Sequence, residues 1–133
     1  MSDGTASVRL RRRVEWPDTD AAGHYHHSTV IRWVEAAESQ LHEELGLPDL
    51  FGAVPRVRYE VDYAERLWFR DEVEIMLTVA SVGRTSIRYE FEVRRGEALA
   101  ARGALTAVHL DQESGEPRPW SGEERARLET GRR

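Results

Sequence analysis

Residues 16 to 38 read WPDTDAAGHYHHSTVIRWVEAAE, crowding two aspartates, a glycine and three histidines into the gap between a strand-like run and a helix-like run. A carboxylate beside a helix N-terminus suits acyl transfer. The first turn of a helix presents backbone N–H groups without intrahelical partners and carries positive partial charge. That end stabilises a developing oxyanion, while a nearby carboxylate attacks a carbonyl or takes a proton from water. Asp20 is the candidate for that role. Loop aspartates also brace turns through local hydrogen bonds, so Asp20 taken alone admits either reading, and Asp18 reads as the residue that fixes the loop.

Imidazole is a common zinc and iron ligand, and His24, His26 and His27 raise the question of a metal. Histidines this close in sequence do not share one helical face, and no downstream cysteine or HxxxH pattern completes a ligand set. The reading is therefore of a site with neither metal nor organic cofactor.

The flanking elements must position these groups. VRLRRRVEW, residues 8 to 16, alternates Val8, Leu10, Val14 and Trp16 against arginines, with Arg12 out of pattern, and predicts a half-buried strand ended by Pro17. From Thr29 the period becomes helical, with Val30, Trp33, Val34, Ala37, Leu41 and Leu45 on one stripe, Ser28 as the N-cap and Gly46 and Pro48 as the stop. On that helix Glu35 and Glu38 point away from the stripe, and His42 reads as exposed. Four strands follow, with inward sets Val57/Tyr59/Val61/Tyr63, Val73/Ile75/Leu77/Val79 and Ile87/Tyr89/Phe91/Val93, and then EALAARGALTAVHL, rich in small residues, with His109 near its end. Short glycine-containing turns imply antiparallel pairing. The tail, with Ser121 and Glu124 spaced as a capping box, predicts a short polar helix. An antiparallel sheet curled around the long helix buries both apolar faces, giving an α+β protein.

At 133 residues the chain has the size of a single domain, residues 1 to 133, with a core near 8 to 110 and a polar tail from 111. Hydrophobic residues at 40% and charged residues at 32% describe a globular rather than a disordered chain. The absence of cysteine excludes disulfides, thiolate metal sites and a cysteine nucleophile. A formal net charge of −5 argues against nucleic acid as a partner, and no apolar run predicts a signal peptide or membrane insertion, so the expected location is cytoplasmic.

PDTDAAGHYHHSTVIRWVEAAE resembles the D-x-D-x-x-G segment of the hotdog-fold thioesterases, in particular the 4-hydroxybenzoyl-CoA thioesterase-like group that includes the small acyl-CoA thioesterases associated with the Tol-Pal system. The resemblance continues through YAERLWFRDEVEI and VGRTSIRYEFEVRRG and covers most of residues 8 to 110. It implies a hotdog fold and hydrolysis of an acyl-CoA or acyl-carrier-protein thioester. Asp20 would be the carboxylate that attacks the thioester or activates water, Gly23 the turn glycine, and His27 the residue whose backbone N–H polarises the carbonyl. Glu35 matches an acidic position inside the helix. The resemblance also implies a homodimer or homotetramer with sites at subunit interfaces. His24, Tyr25 and His26 stand where the family often has an aliphatic pair and then an aromatic, and Thr29 and Val30 where it often has Asn and Tyr. These positions are expected to shape the acyl pocket.

Two further groups of candidates come from the side chains. Arg84, Thr85 and Ser86 follow Gly83 in a tight turn, where an arginine would bind a phosphate of CoA or simply face solvent. Trp68 and Phe69 beside another turn would line the acyl pocket or form a subunit contact. The rival readings are a thioesterase for carrier-protein-bound polyketide or fatty-acyl intermediates and a non-catalytic module that binds an acyl-CoA or small metabolite.

Overall fold

The computed structural model describes residues 5–25 and 27–132. Its elements run β1 (Ser7–Arg13), α1 (His27–Glu44), β2 (Arg56–Tyr63), β3 (Glu72–Val82), β4 (Ser86–Arg95), β5 (Ala98–Val108) and α2 (Gly122–Thr130), with 3₁₀ segments at Trp16–Asp18 and Pro48–Ala53. The five strands form one antiparallel sheet in the order β1-β3-β4-β5-β2, so β1 and β2 are its edges. The expected α+β hotdog arrangement, a sheet around one long helix, is what the chain forms.

Period-two alternation sets the inner face. Val8, Val73, Ile75, Leu77, Val79, Ile87, Tyr89, Phe91 and Val93 are buried there, and α1 lays Val30, Trp33, Val34, Ala37 and Leu41 against them. On β5 the inner positions other than Leu105 are small: Ala101, Gly103 and Ala107. A Cβ on Gly103 would stand 1.9 Å from the Glu60 carbonyl oxygen and 2.8 Å from Phe91 Cζ, so the missing side chain lets β2 close on β5. α1 ends in a Schellman motif, with Leu47 N–H donating to His42 O (2.8 Å) and Gly46 N–H to Glu43 O (3.0 Å).

Several expectations are corrected. β1 stops at Arg13, and Glu15 to Asp18 close on themselves, Glu15 N–H donating to Asp18 Oδ2 at 2.8 Å; this turns Trp16 outward to 68% exposure. α1 begins at His27, so Ser28 lies inside the first turn rather than capping it. Val57 falls at a register shift between Arg56 and Arg58 and is exposed. Glu38 and His42, expected on the solvent side of α1, are fully buried, because Arg56 of β2 and Phe51 of the Pro48–Ala53 segment cover that side of the helix. His109 lies just past β5 and stacks on Trp120, their centroids 4.3 Å apart, where it helps seat the tail.

Candidate active site

The loop that enters α1 is held from both sides. Asp18 receives Glu15 N–H and the Arg32 guanidinium (3.0 Å) on its carboxylate, and its carbonyl accepts from Thr29 Oγ1 at 2.9 Å. The first turn of α1 is thereby tied to the loop that precedes it. Asp20 N–H donates to the His24 carbonyl (2.9 Å) and Gly23 N–H to the Asp20 carbonyl (3.0 Å), closing a small loop that needs φ +91° at Gly23. Any Cβ there would also approach Trp68 Cζ3 at 3.6 Å.

This loop fixes the carboxylate. Asp20 Oδ1 accepts from Ala22 N–H at 2.8 Å, while Oδ2 faces His24 with Nδ1 3.9 Å away. The Asp20 side chain is 34% exposed, enough to meet a ligand. The His24 Nδ1–H donates to the Tyr25 carbonyl at 3.2 Å, and the ring stands edge-on to Trp68. Tyr25 is buried, stacked near-parallel on Trp33, with its hydroxyl donating to Glu65 O at 3.3 Å. Burial and neighbouring Tyr63 push its phenol up to about 12, so it remains a donor. The Tyr63 hydroxyl donates to the His27 carbonyl at 2.5 Å, pinning the end of β2 to the first residue of α1.

Asp20, His24, Tyr25, His27, Tyr63, Ala64, Glu65 and Arg66 line one cleft of about 410 Å³. It combines a carboxylate, the positive end of an 18-residue helix and aromatic walls. Of the residues singled out in the sequence, Asp20, His24, Tyr25 and His27 meet in this cleft, with Gly23 and Asp18 shaping the loop beneath. Trp68 stands beside it, its backbone bridged to His24. His26 lies outside the described residues. Glu35 is half-buried two turns along α1, near enough to Tyr59 and Glu38 for its charge to act on both. Arg84, Thr85 and Ser86 sit at the other end of the ten-residue β4, roughly 30 Å away. There their carbonyls receive Trp120 N–H, His109 N–H and Trp120 Nε1–H.

Tyr63, Glu65 and Arg66 were not recognised in the sequence as site residues. Their signal was that YAER carries the chain off the end of β2, where a strand end must meet the helix start. Among the described residues no group of three or more His, Asp or Glu side chains is arranged to hold a metal ion.

Known proteins agree with this architecture. Residues 14–128 match the family described as the Thioesterase-like superfamily. A 1,4-dihydroxy-2-naphthoyl-CoA hydrolase from Synechococcus sp. (strain CC9605) is 28% identical over 120 residues, 80% of this chain and 79% of that protein. The structure of a predicted thioesterase from Bacillus stearothermophilus superposes with TM-score 0.85 at 26% identity, covering 92% of this chain and 94% of that one. A 1,4-dihydroxy-2-naphthoyl-CoA thioesterase from Synechocystis shares the fold at TM-score 0.82 and 18% identity, covering 92% of this chain and 95% of that one. With a family match over nearly its whole length and a fold shared with solved thioesterases, the chain belongs to the thioesterase-like superfamily and is a hotdog-fold thioesterase.

Proposed function

We propose that the enzyme hydrolyses acyl-CoA thioesters to the free acid and CoA, with Asp20 as the reacting carboxylate and the N-terminus of α1 at His27 polarising the thioester carbonyl. The observation that carries this reading is that Asp20 and His27 line the same cleft. Two routes use this geometry. In one, Asp20 takes a proton from water as the water oxygen bonds to the carbonyl carbon. In the other, Asp20 bonds to that carbon, thiolate leaves, and water cleaves the resulting anhydride. In both, negative charge gathers on the carbonyl oxygen beside the positive helix end, and the thiolate takes up a proton to leave as CoA.

The names of relatives that act on CoA esters support CoA over a carrier protein as the thiol. Tyr25, Tyr63 and His24 favour a flat acyl group against the cleft walls. A homodimer or homotetramer accords with β2 as an uncovered sheet edge bearing exposed Val57 and Tyr63. Free-thiol release from aryl, short, medium and long acyl-CoA, beside the same acyl groups on a carrier protein, tests the reading. Turnover of at least one CoA ester, fastest with aryl groups, is expected. Turnover of carrier-protein thioesters alone would move the function to biosynthetic trimming, and saturable binding without turnover would make the chain a binding module.

A further inference from the structure

Beside the cleft, two loops bring large aromatic side chains into solvent. Trp16 is 68% exposed, Trp68 44% and Phe69 41%, an arrangement that burial alone disfavours. The Trp16 ring stands edge-on to Phe69, centroids 5.6 Å apart, and the Arg70 guanidinium lies 4.8 Å over the opposing Phe69 ring centre.

The turn that presents them is strained and tightly held. Arg70 has φ +78°, the one positive value at a non-glycine among the described residues. Arg70 N–H donates to Val14 O (2.8 Å), Asp71 N–H to Trp68 O (3.0 Å), and Asp71 Oδ2 accepts from Trp68 N–H (2.8 Å) and the Arg95 guanidinium (3.1 Å). These bonds keep Phe69 and Arg70 facing outward.

Charge completes the picture. Arg9, Arg11, Arg94 and Arg95 on the same sheet are paired with carboxylates. Among the described arginines without such a partner, which also include Arg12, Arg84, Arg102, Arg118 and Arg132, it is Arg13, Arg66 and Arg70 that lie within three residues of Trp16, Trp68 or Phe69 in the chain. Arg66 lines the cleft with Asp20, and Arg13 directly precedes Val14, which holds Arg70. From Arg66 on the cleft wall the chain runs through Trp68 into the turn that carries Phe69 and Arg70, so the ridge adjoins the cleft.

We infer that the Trp16–Phe69–Arg70 ridge, flanked by Arg13 and Arg66, is a subsite for the nucleotide end of CoA. The adenine stacks on the exposed rings, and the phosphates meet guanidinium groups that lack carboxylate partners. The inference rests on the acyl-CoA reading above and adds where the leaving group's distant end is held.

Titration calorimetry with CoA, adenosine 3′,5′-bisphosphate and pantetheine tests it directly, because binding is read whether or not hydrolysis occurs. Two variants suit the test. Trp16→Ala removes an exposed ring, and Arg70→Gly removes the guanidinium while keeping a residue at home with positive φ. Both should bind CoA and the bisphosphate about tenfold more weakly than wild type, with pantetheine binding unchanged. In hydrolysis, KM for acyl-CoA should rise with kcat held, while KM for the matching acyl-pantetheine stays put.

Equal binding of CoA by variants and wild type would overturn the inference. So would wild type binding CoA no better than pantetheine, or a smaller assembly for Trp16→Ala by size exclusion, which would assign the ridge to a subunit contact. If the ridge governs CoA binding but no thioester is turned over, the hydrolase reading fails and this one stands. If acyl-CoA is turned over but the ridge is irrelevant, the reverse holds.

Discussion

Glu38 and His42 form a buried polar cluster with Arg56 and Tyr89 in the α1–β2 region. Arg56 pairs with Glu38, and His42 Nε2 shares a 2.8 Å hydrogen bond with the Tyr89 hydroxyl. Burial pushes the Glu38 carboxyl up to about 7 against the pull of Arg56, and burial, aided by the Arg56 charge, holds the His42 imidazole down to about 4. The folded protein therefore takes up the His42 proton less readily than the unfolded chain does. Stability is fully present above the unperturbed value of 6.5 and is lost as pH falls through about 4. At pH 5 the loss amounts to about 2 kcal/mol. Glu38 titrates in the opposite sense, stabilising as pH falls from about 7 toward its ordinary value of 4.5. A His42→Gln variant retains Glu38, so comparing the two proteins isolates the histidine. Thermal melts at pH 7.5 and 5 should show wild type faring worse on acidification than the variant, and parallel changes in the two proteins would contradict the assignment. The sequence hid this cluster because the i and i+4 polar pair looked like a solvent face. Only the arrival of Arg56 and Phe51 from distant segments buries it.

At the scale of elements much was readable. Alternation in β3 and β4 marked their inner faces at Ile75, Leu77, Tyr89 and Phe91, and Ser121 with Glu124 marked the start of α2 as a capping box. The departures came where a local signal met a tertiary one. Trp16 continued the alternation of β1, yet the Glu15–Asp18 turn closed first and faced it outward. Docking of α2 was also unreadable. Arg127 reaches the Leu45 and Gly46 carbonyls across more than eighty residues of chain, and Leu128 is buried beneath it. Gly103 gives the clearest test at this scale. Gly103→Ala would press on the Glu60 carbonyl and the Phe91 ring. It should lower stability by about 2 kcal/mol in denaturant titration, as overpacking does. An unchanged midpoint would mean that β2 can move off β5 freely.

Over the whole molecule, the tail and the candidate cleft sit at opposite ends of the sheet. The tail closes the end that carries Arg84 to Ser86, through Trp120 and the Arg125 bonds to the Val82 and Gly83 carbonyls. The cleft with Asp20 and His27 occupies the other end. The sequence pointed to that cleft through the D-x-D-x-x-G segment, whose residues are local to one loop. It did not point to Tyr63, Glu65 and Arg66, which join the cleft only when β2 meets the start of α1. The measurement that bears most directly on the account is kcat for the best acyl-CoA ester in wild type and Asp20→Asn, with circular dichroism on both. The amide can still accept from Ala22 N–H, so the loop should hold. The account predicts an unchanged spectrum and a fall in kcat of about 100-fold or more; a folded variant that keeps most of its rate would contradict it.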